Sequence, residues 1–280
     1  MNFITNNKIP VGEWMETGVD WLTLNAAGFF DAISIFLETV ILFVVDIFKW
    51  MPPALPILMT AAIAWYLHRS IPLMLFIVGA LLTILNLGYW QEMLETFVLV
   101  FAATTISVLI GVPIGIMASH RPWLYTLLRP ILDLMQTVPT FVYLIPTLVL
   151  FGLGIVPGLI STIIFAIAAP IRLTYLGMTK VPEELIEAGK AFGASRMKLL
   201  FKVELPAAMP SIMAGVTQCI MLSLSMVVIA ALVGADGLGK PVVRALNTVN
   251  ISQGFEAGLA IVLVAIILDR LCKTPNQKEA

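Results

Sequence analysis

Seven nearly uninterrupted apolar runs divide this chain: 54–67, 71–87, 93–118, 134–154, 158–178, 211–233 and 255–268. A helix needs on the order of 20 mainly apolar residues to cross a bilayer. The longer runs reach that length, and flanking residues extend the first and last. Short breakers separate them: His68-Arg69-Ser70, Gly88 to Gln91, His120 to Pro130, Val156-Pro157, and a longer stretch from Ala235 to Gly254. The break at Val181–Pro210, VPEELIEAGKAFGASRMKLLFKVELPAAMP, differs in kind, because it is both long and polar. It carries Glu183, Glu184, Glu187, Lys190, Arg196, Lys198, Lys202 and Glu204 between two apolar runs.

Residues 29–48, FFDAISIFLETVILFVVDIF, would make an eighth span if they crossed. However, Asp31, Ser34, Glu38, Asp46 and Lys49 fall on one stripe at 100° per residue. Three carboxylates at membrane depth are costly. A helix lying in the interface wets that stripe and buries the rest. The expectation is therefore a tail, 1–52, with an in-plane amphipathic helix, followed by a seven-span transmembrane domain over 53–280.

Composition agrees with this reading: 60% of residues are hydrophobic and 12% charged, half or less of the charged share of a soluble domain. Backbone groups in lipid must be paired within a segment, and the ten-residue alternation of an outer-membrane barrel is absent, so an all-α integral membrane protein is expected. No basic start with an apolar core marks a cleavable leader in residues 1–30. The two cysteines, Cys219 and Cys272, fall at different depths, so no disulfide is expected.

Basic residues set the orientation. With the polar break in the cytoplasm, alternation gathers Arg69, Arg121, Arg129, Arg172, Lys180, Lys190, Arg196, Lys198, Lys202, Arg270, Lys273 and Lys278 on that side. Lys8, Lys49, Lys240 and Arg244 remain outside. This puts the N-terminus outside and the C-terminus in the cytoplasm.

Within the polar break, Pro182 followed by Glu183 and Glu184 reads as a helix start, since carboxylates favour the positive end of the helix dipole. Leu185, Ala188, Ala191 and Phe192 form an apolar face, and Gly193 ends the helix in a left-handed conformation. A second short helix follows with Met197, Leu200 and Phe201 on one side, closed by Leu205-Pro206. The unit is a compact knob suited to a groove on a partner.

Glu187-Ala188-Gly189, then Gly193, Val203 and Leu205-Pro206 at spacings of three, nine and one residues, resemble the EAA loop of bacterial ABC-importer permeases. Gly189 stands for the second alanine and Val203 for the isoleucine. LDLMQTVPTFVYLIP at 132–146, IIFAIAAPIRLTYLG at 163–177, LSMVVIAALVGADGLG at 224–239 and AIILDRL at 265–271 are similar to the glycine betaine/proline/choline permease subfamily. The resemblance covers most of the chain from about residue 53 onward. It implies a type I ABC-importer permease bundle, multi-pass in the bacterial inner membrane, with residues 180–210 as its coupling loop. It also implies a second permease copy, two cytoplasmic ATPase subunits that hold ATP and magnesium, and an extracytoplasmic binding protein. Glu187, Ala188, Gly189, Gly193, Leu205 and Pro206 would then couple to the ATPase. This subunit would hold no cofactor and be no enzyme.

Other motifs point less far. Gly234 to Lys240 fits the first seven positions of a phosphate-binding loop, but Pro241 stands where Ser or Thr must hold magnesium. His68 and His120 have no Cys, Asp or Glu at ligand spacing, so no metal site is expected. Neither a catalytic constellation nor a nucleic-acid partner is expected. Gln136, Thr137, Pro139, Thr140 and Tyr143, in the proline-broken fourth run, are candidates to line the translocation path. Trp65, Tyr66, Tyr89, Trp90, Trp123 and Tyr125 read as an interfacial belt. No intramembrane carboxylate stands out between 53 and 178, which disfavours a proton- or sodium-driven carrier. Two other readings remain at this stage: a permease for a different solute such as an amino acid, and a stand-alone channel or carrier.

Overall fold

The structure, a computed structural model, describes residues 10–272; Lys8, Lys273 and Lys278, counted above for orientation, lie outside the described residues. All regular elements among these are helices. The first, α1 (Val11–Trp50), interrupted only by the non-helical Ala26, is longer than the 29–48 segment expected. Next come two short apolar helices packed as a hairpin, α2 (Ala54–His68) and α3 (Ile71–Asn86). Ser70 caps α3 through its Oγ, which accepts from the Leu73 amide, and Pro72 in the first turn needs no partner. Gly88, at φ 81°, turns the chain into α4 (Trp90–Ser119).

The run 134–154 is not one straight span. It is split between α5 (Pro122–Thr137) and α6 (Thr140–Phe151), which meet at 97°. Pro139 supplies no amide and forces Val138 into extended backbone, so the helix cannot continue through it. Gly152 and Gly154, both at positive φ, then turn into α7 (Ile155–Ala166), continued almost collinearly by α8 (Ala168–Thr179). Short α9 (Glu183–Ala191) and α10 (Arg196–Leu199) follow, then α11 (Leu205–Ala230), α12 (Gly239–Thr248) and α13 (Ile251–Cys272). Five helices, or six with the bent pair, are long and apolar enough to cross a membrane.

The core is a sandwich with α8 between α4 and α11. Small residues allow it. A methyl group on Gly115 would lie 2.7 Å from Thr174 Cβ, and one on Gly177 2.7 Å from Ser211 Cβ. Dispersion between closely approaching backbones stabilises such contacts in lipid, where apolar burial contributes little. Ala103 and Ser107 are fully buried on the same α4 face. The end of the bundle where α8 stops and α9 begins is called the lower end below; the end carrying Gly154 and Gly234 is the upper end.

Candidate coupling site

Lower-end geometry starts at Pro182, extended at ψ 132°, which delivers the chain into α9 with Glu183 and Glu184 in its first turn. Gly193 adopts φ 74°. Its amide donates to the Lys190 carbonyl at 2.9 Å, and the Ala194 amide reaches back to the Gly189 carbonyl at 3.1 Å. These two bonds close the helix on its own last carbonyls, as a left-handed cap does. Ser195 then caps the next helix by accepting from the Lys198 amide. Gly189 is packed beneath Leu199, whose Cδ1 would lie 2.6 Å from an added methyl. That contact accounts for glycine in place of the family's alanine.

Glu187 and Ala188 are exposed. Around them stand Leu185, Met197, Phe201 and Phe192, the last 92% exposed. A rigid, apolar-studded knob therefore projects from the lower end with its aromatic tip uncovered.

Leu205-Pro206 does not close the unit, as the sequence reading expects. Arg196 to Val233 is one helical rod of 38 residues, and Pro206 lies inside it. The rod tolerates the proline by widening into a π turn at Leu200–Glu204, where the Leu205 amide bonds the Leu200 carbonyl. Pro206 has no amide to offer Lys202 and its ring crowds that carbonyl, so a wider turn just before it removes the conflict.

Glu204, in that turn, is 7% exposed. Its carboxylate meets His120 Nε2 at 2.9 Å, while His120 Nδ1 lies 3.0 Å from the Ile116 carbonyl. The pair ties the coupling loop to the lower end of α4. A cavity of about 760 Å³ opens beside it, lined by Ser119, His120, Glu183, Lys190, Arg196 and Glu204 among others. Nothing local in the sequence signals this role for His120, because its partner lies 84 positions away.

The expected path residues cluster at the α5–α6 elbow. Thr137 and Pro139 are exposed, whereas Gln136, Thr140 and Tyr143 are half-buried. The Tyr143 hydroxyl donates to the Met135 carbonyl at 2.7 Å, satisfying a group that the bend leaves open. One turn below, Asp133 and Arg172 pair at 2.6 Å. Asp133, just before the fourth apolar run, belongs to α5. The Gly234–Lys240 loop is tied to α4 by the Leu238 amide, which donates to Thr96 Oγ1 at 2.8 Å, and is braced internally by the Lys240–Asp236 pair.

Residues 111–272 match the family described as binding-protein-dependent transport system inner membrane component. The chain belongs to this family. Among the relatives of this permease is a glycine betaine transport system permease of Bacillus subtilis, 45% identical across 97% of the chain and 96% of the relative. A glycine betaine/carnitine transport permease of Listeria monocytogenes is 43% identical, with 96% of each covered. A glycine betaine/proline betaine permease of Escherichia coli is 41% identical over 94% of the chain and 74% of its own length. An inward-facing methionine ABC transporter structure covers 66% of the chain and 94% of its own, at TM-score 0.59 and 24% identity, which establishes a shared fold.

Proposed function

We propose that this permease is the membrane-spanning subunit of an ATP-driven importer for betaine-type quaternary ammonium osmolytes. The observation carrying this is near-full-length similarity to permeases named for glycine betaine, 45% identical over 97% of the chain. Two copies pair in the inner membrane. Each seats its α9 knob, through Glu187, Ala188, Gly189 and Gly193, in a cytoplasmic ATPase that holds ATP and magnesium, with Leu205 and Pro206 holding the base of the knob. A binding protein delivers solute at the upper end. When ATP closes the two ATPases, the knobs move with them and the bundle turns from inward- to outward-facing; hydrolysis happens on the partner, and this chain does no bond chemistry.

In this reading the N-terminus lies outside, and residues 29–48 rest in the outer interface. Phe30 stacks edge-on against Phe151, and Lys49 pairs with Glu95 at 2.6 Å. Both contacts lie toward the upper end, although the two residues are separated by roughly 28 Å of helix at 1.5 Å per residue. One face (Ile41, Val45) is buried on the bundle, a second carries exposed Asp31, Glu38 and Asp46, and a third carries exposed Phe36 and Phe43. Protein, water and lipid each have a side.

The test is reconstitution of the permease with its ATPase and binding protein in proteoliposomes. Radiolabelled glycine betaine should accumulate only with ATP and loaded binding protein; uptake without either overturns the reading.

A further inference from the structure

Among the described residues, the Asp133–Arg172 pair differs in place from three other ion pairs. Lys49–Glu95 and Lys240–Asp236 lie toward the upper end, and His120–Glu204 lies at the lower end. Arg172, counted from sequence with the cytoplasmic residues, stands instead within the helix Ile155–Thr179, seven residues from its lower end and so roughly 10 Å along it at 1.5 Å per residue. Charges at such depth persist only where they face protein or a water-filled path. Yet this chain does not enclose them: Asp133 is 52% and Arg172 32% exposed. The Arg172 guanidinium is also incompletely used. One terminal nitrogen meets Asp133, while its buried Nε has no acceptor.

The surroundings match the two ends of a betaine. Towards the lower end, on the same two helices, the Tyr125 and Tyr175 rings stack with centroids 3.5 Å apart. Towards the elbow come Gln136 and Thr137, the latter exposed. Aromatic rings and a carboxylate attract a quaternary ammonium, which carries no proton to donate. A guanidinium binds a carboxylate in fork geometry.

We propose that Asp133 and Arg172 form a charge station for zwitterionic solutes on the translocation path, resting on the importer reading above. When no solute is present the two side chains neutralise each other. An arriving zwitterion separates them, its carboxylate taking Arg172 and its ammonium taking Asp133 and the neighbouring rings. On its departure the pair closes again.

The experiment uses the whole complex in proteoliposomes, with glycine betaine and choline as separate labelled solutes. The double variant Asp133→Asn with Arg172→Gln keeps hydrogen-bonding side chains while removing both charges. Expected is a loss of glycine betaine uptake of at least about tenfold, with ATPase stimulation by loaded binding protein unchanged. The single variant Arg172→Gln should lower betaine uptake far more than uptake of choline, which has no carboxylate. Equal loss for both solutes, or betaine uptake at the unaltered level in the double variant, overturns the station. Failure of the unaltered complex to move betaine instead overturns the substrate reading, and the station with it.

Discussion

At the scale of single residues, two neighbouring glycines of the knob serve different needs. Gly193 is required by its backbone, at φ 74°, where a side chain costs about 1–2 kcal/mol. Gly189 is merely favoured by space, since the atom an added methyl would meet is the movable end of Leu199. Replacing Gly193 by Val should therefore cut uptake by at least about tenfold while the protein still reaches the membrane. Gly189→Ala should leave most uptake intact. Uptake assays beside membrane immunoblots check both, and full transport by the Gly193 variant would refute the knob's role. The spacing of Glu187, Gly193 and Leu205-Pro206 makes the knob legible in the amino-acid sequence alone. Spacing does not reveal Asp133 with Arg172, or His120 with Glu204, because each pair joins helices that only tertiary packing brings together.

Two prolines shape their elements in opposite ways, and only the second departs from the sequence reading. Pro139 breaks the fourth apolar run, as its position there suggests, and the Met135 carbonyl left without its amide partner accepts from the Tyr143 hydroxyl. Pro206 fails to break a helix that the rule says it should end, because the π turn before it absorbs the clash. That same turn carries Glu204, so its register matters. Substituting Glu204 by Ala removes a part-buried hydrogen bond to His120, whose net contribution is about 0.5–1.5 kcal/mol because the half-exposed imidazole can turn to water. The expected result is more ATP hydrolysed per solute moved, whereas Glu204→Gln, which can still accept from His120, should remain near normal. Measuring ATPase and uptake on one proteoliposome preparation gives the ratio directly, and an unchanged ratio in the Ala variant removes the brace from the mechanism.

For the whole molecule, hydropathy locates four of the five membrane-length helices and the bent pair, whereas α1, read from sequence as an in-plane helix, also has the length and hydropathy to cross; basic residues supply an orientation with a direct test. Residues 54–87 read as two spans, but their helices have only 15 and 16 residues. Hydropathy sees apolar length and not how a hairpin sits against its neighbours. Cysteine scanning checks the orientation in a background with Cys272→Ser, Cys219 being fully buried. A membrane-impermeant maleimide should label Lys240→Cys in intact cells and Ala194→Cys only after lysis; the reverse pattern would invert the topology.

The unbroken rod from Arg196 to Val233 has a mechanical meaning. At 1.5 Å per residue it is about 57 Å long, enough to traverse the bilayer with length to spare. Its foot sits in the knob, and its head runs directly into the turn whose Leu238 amide grips Thr96. The π turn and Pro206 lie close to the foot, and from Leu205 to Ala230 the shaft is continuous α-helix. A push that passes the turn reaches the upper end as a tilt of that shaft, so one element joins the knob to the far side.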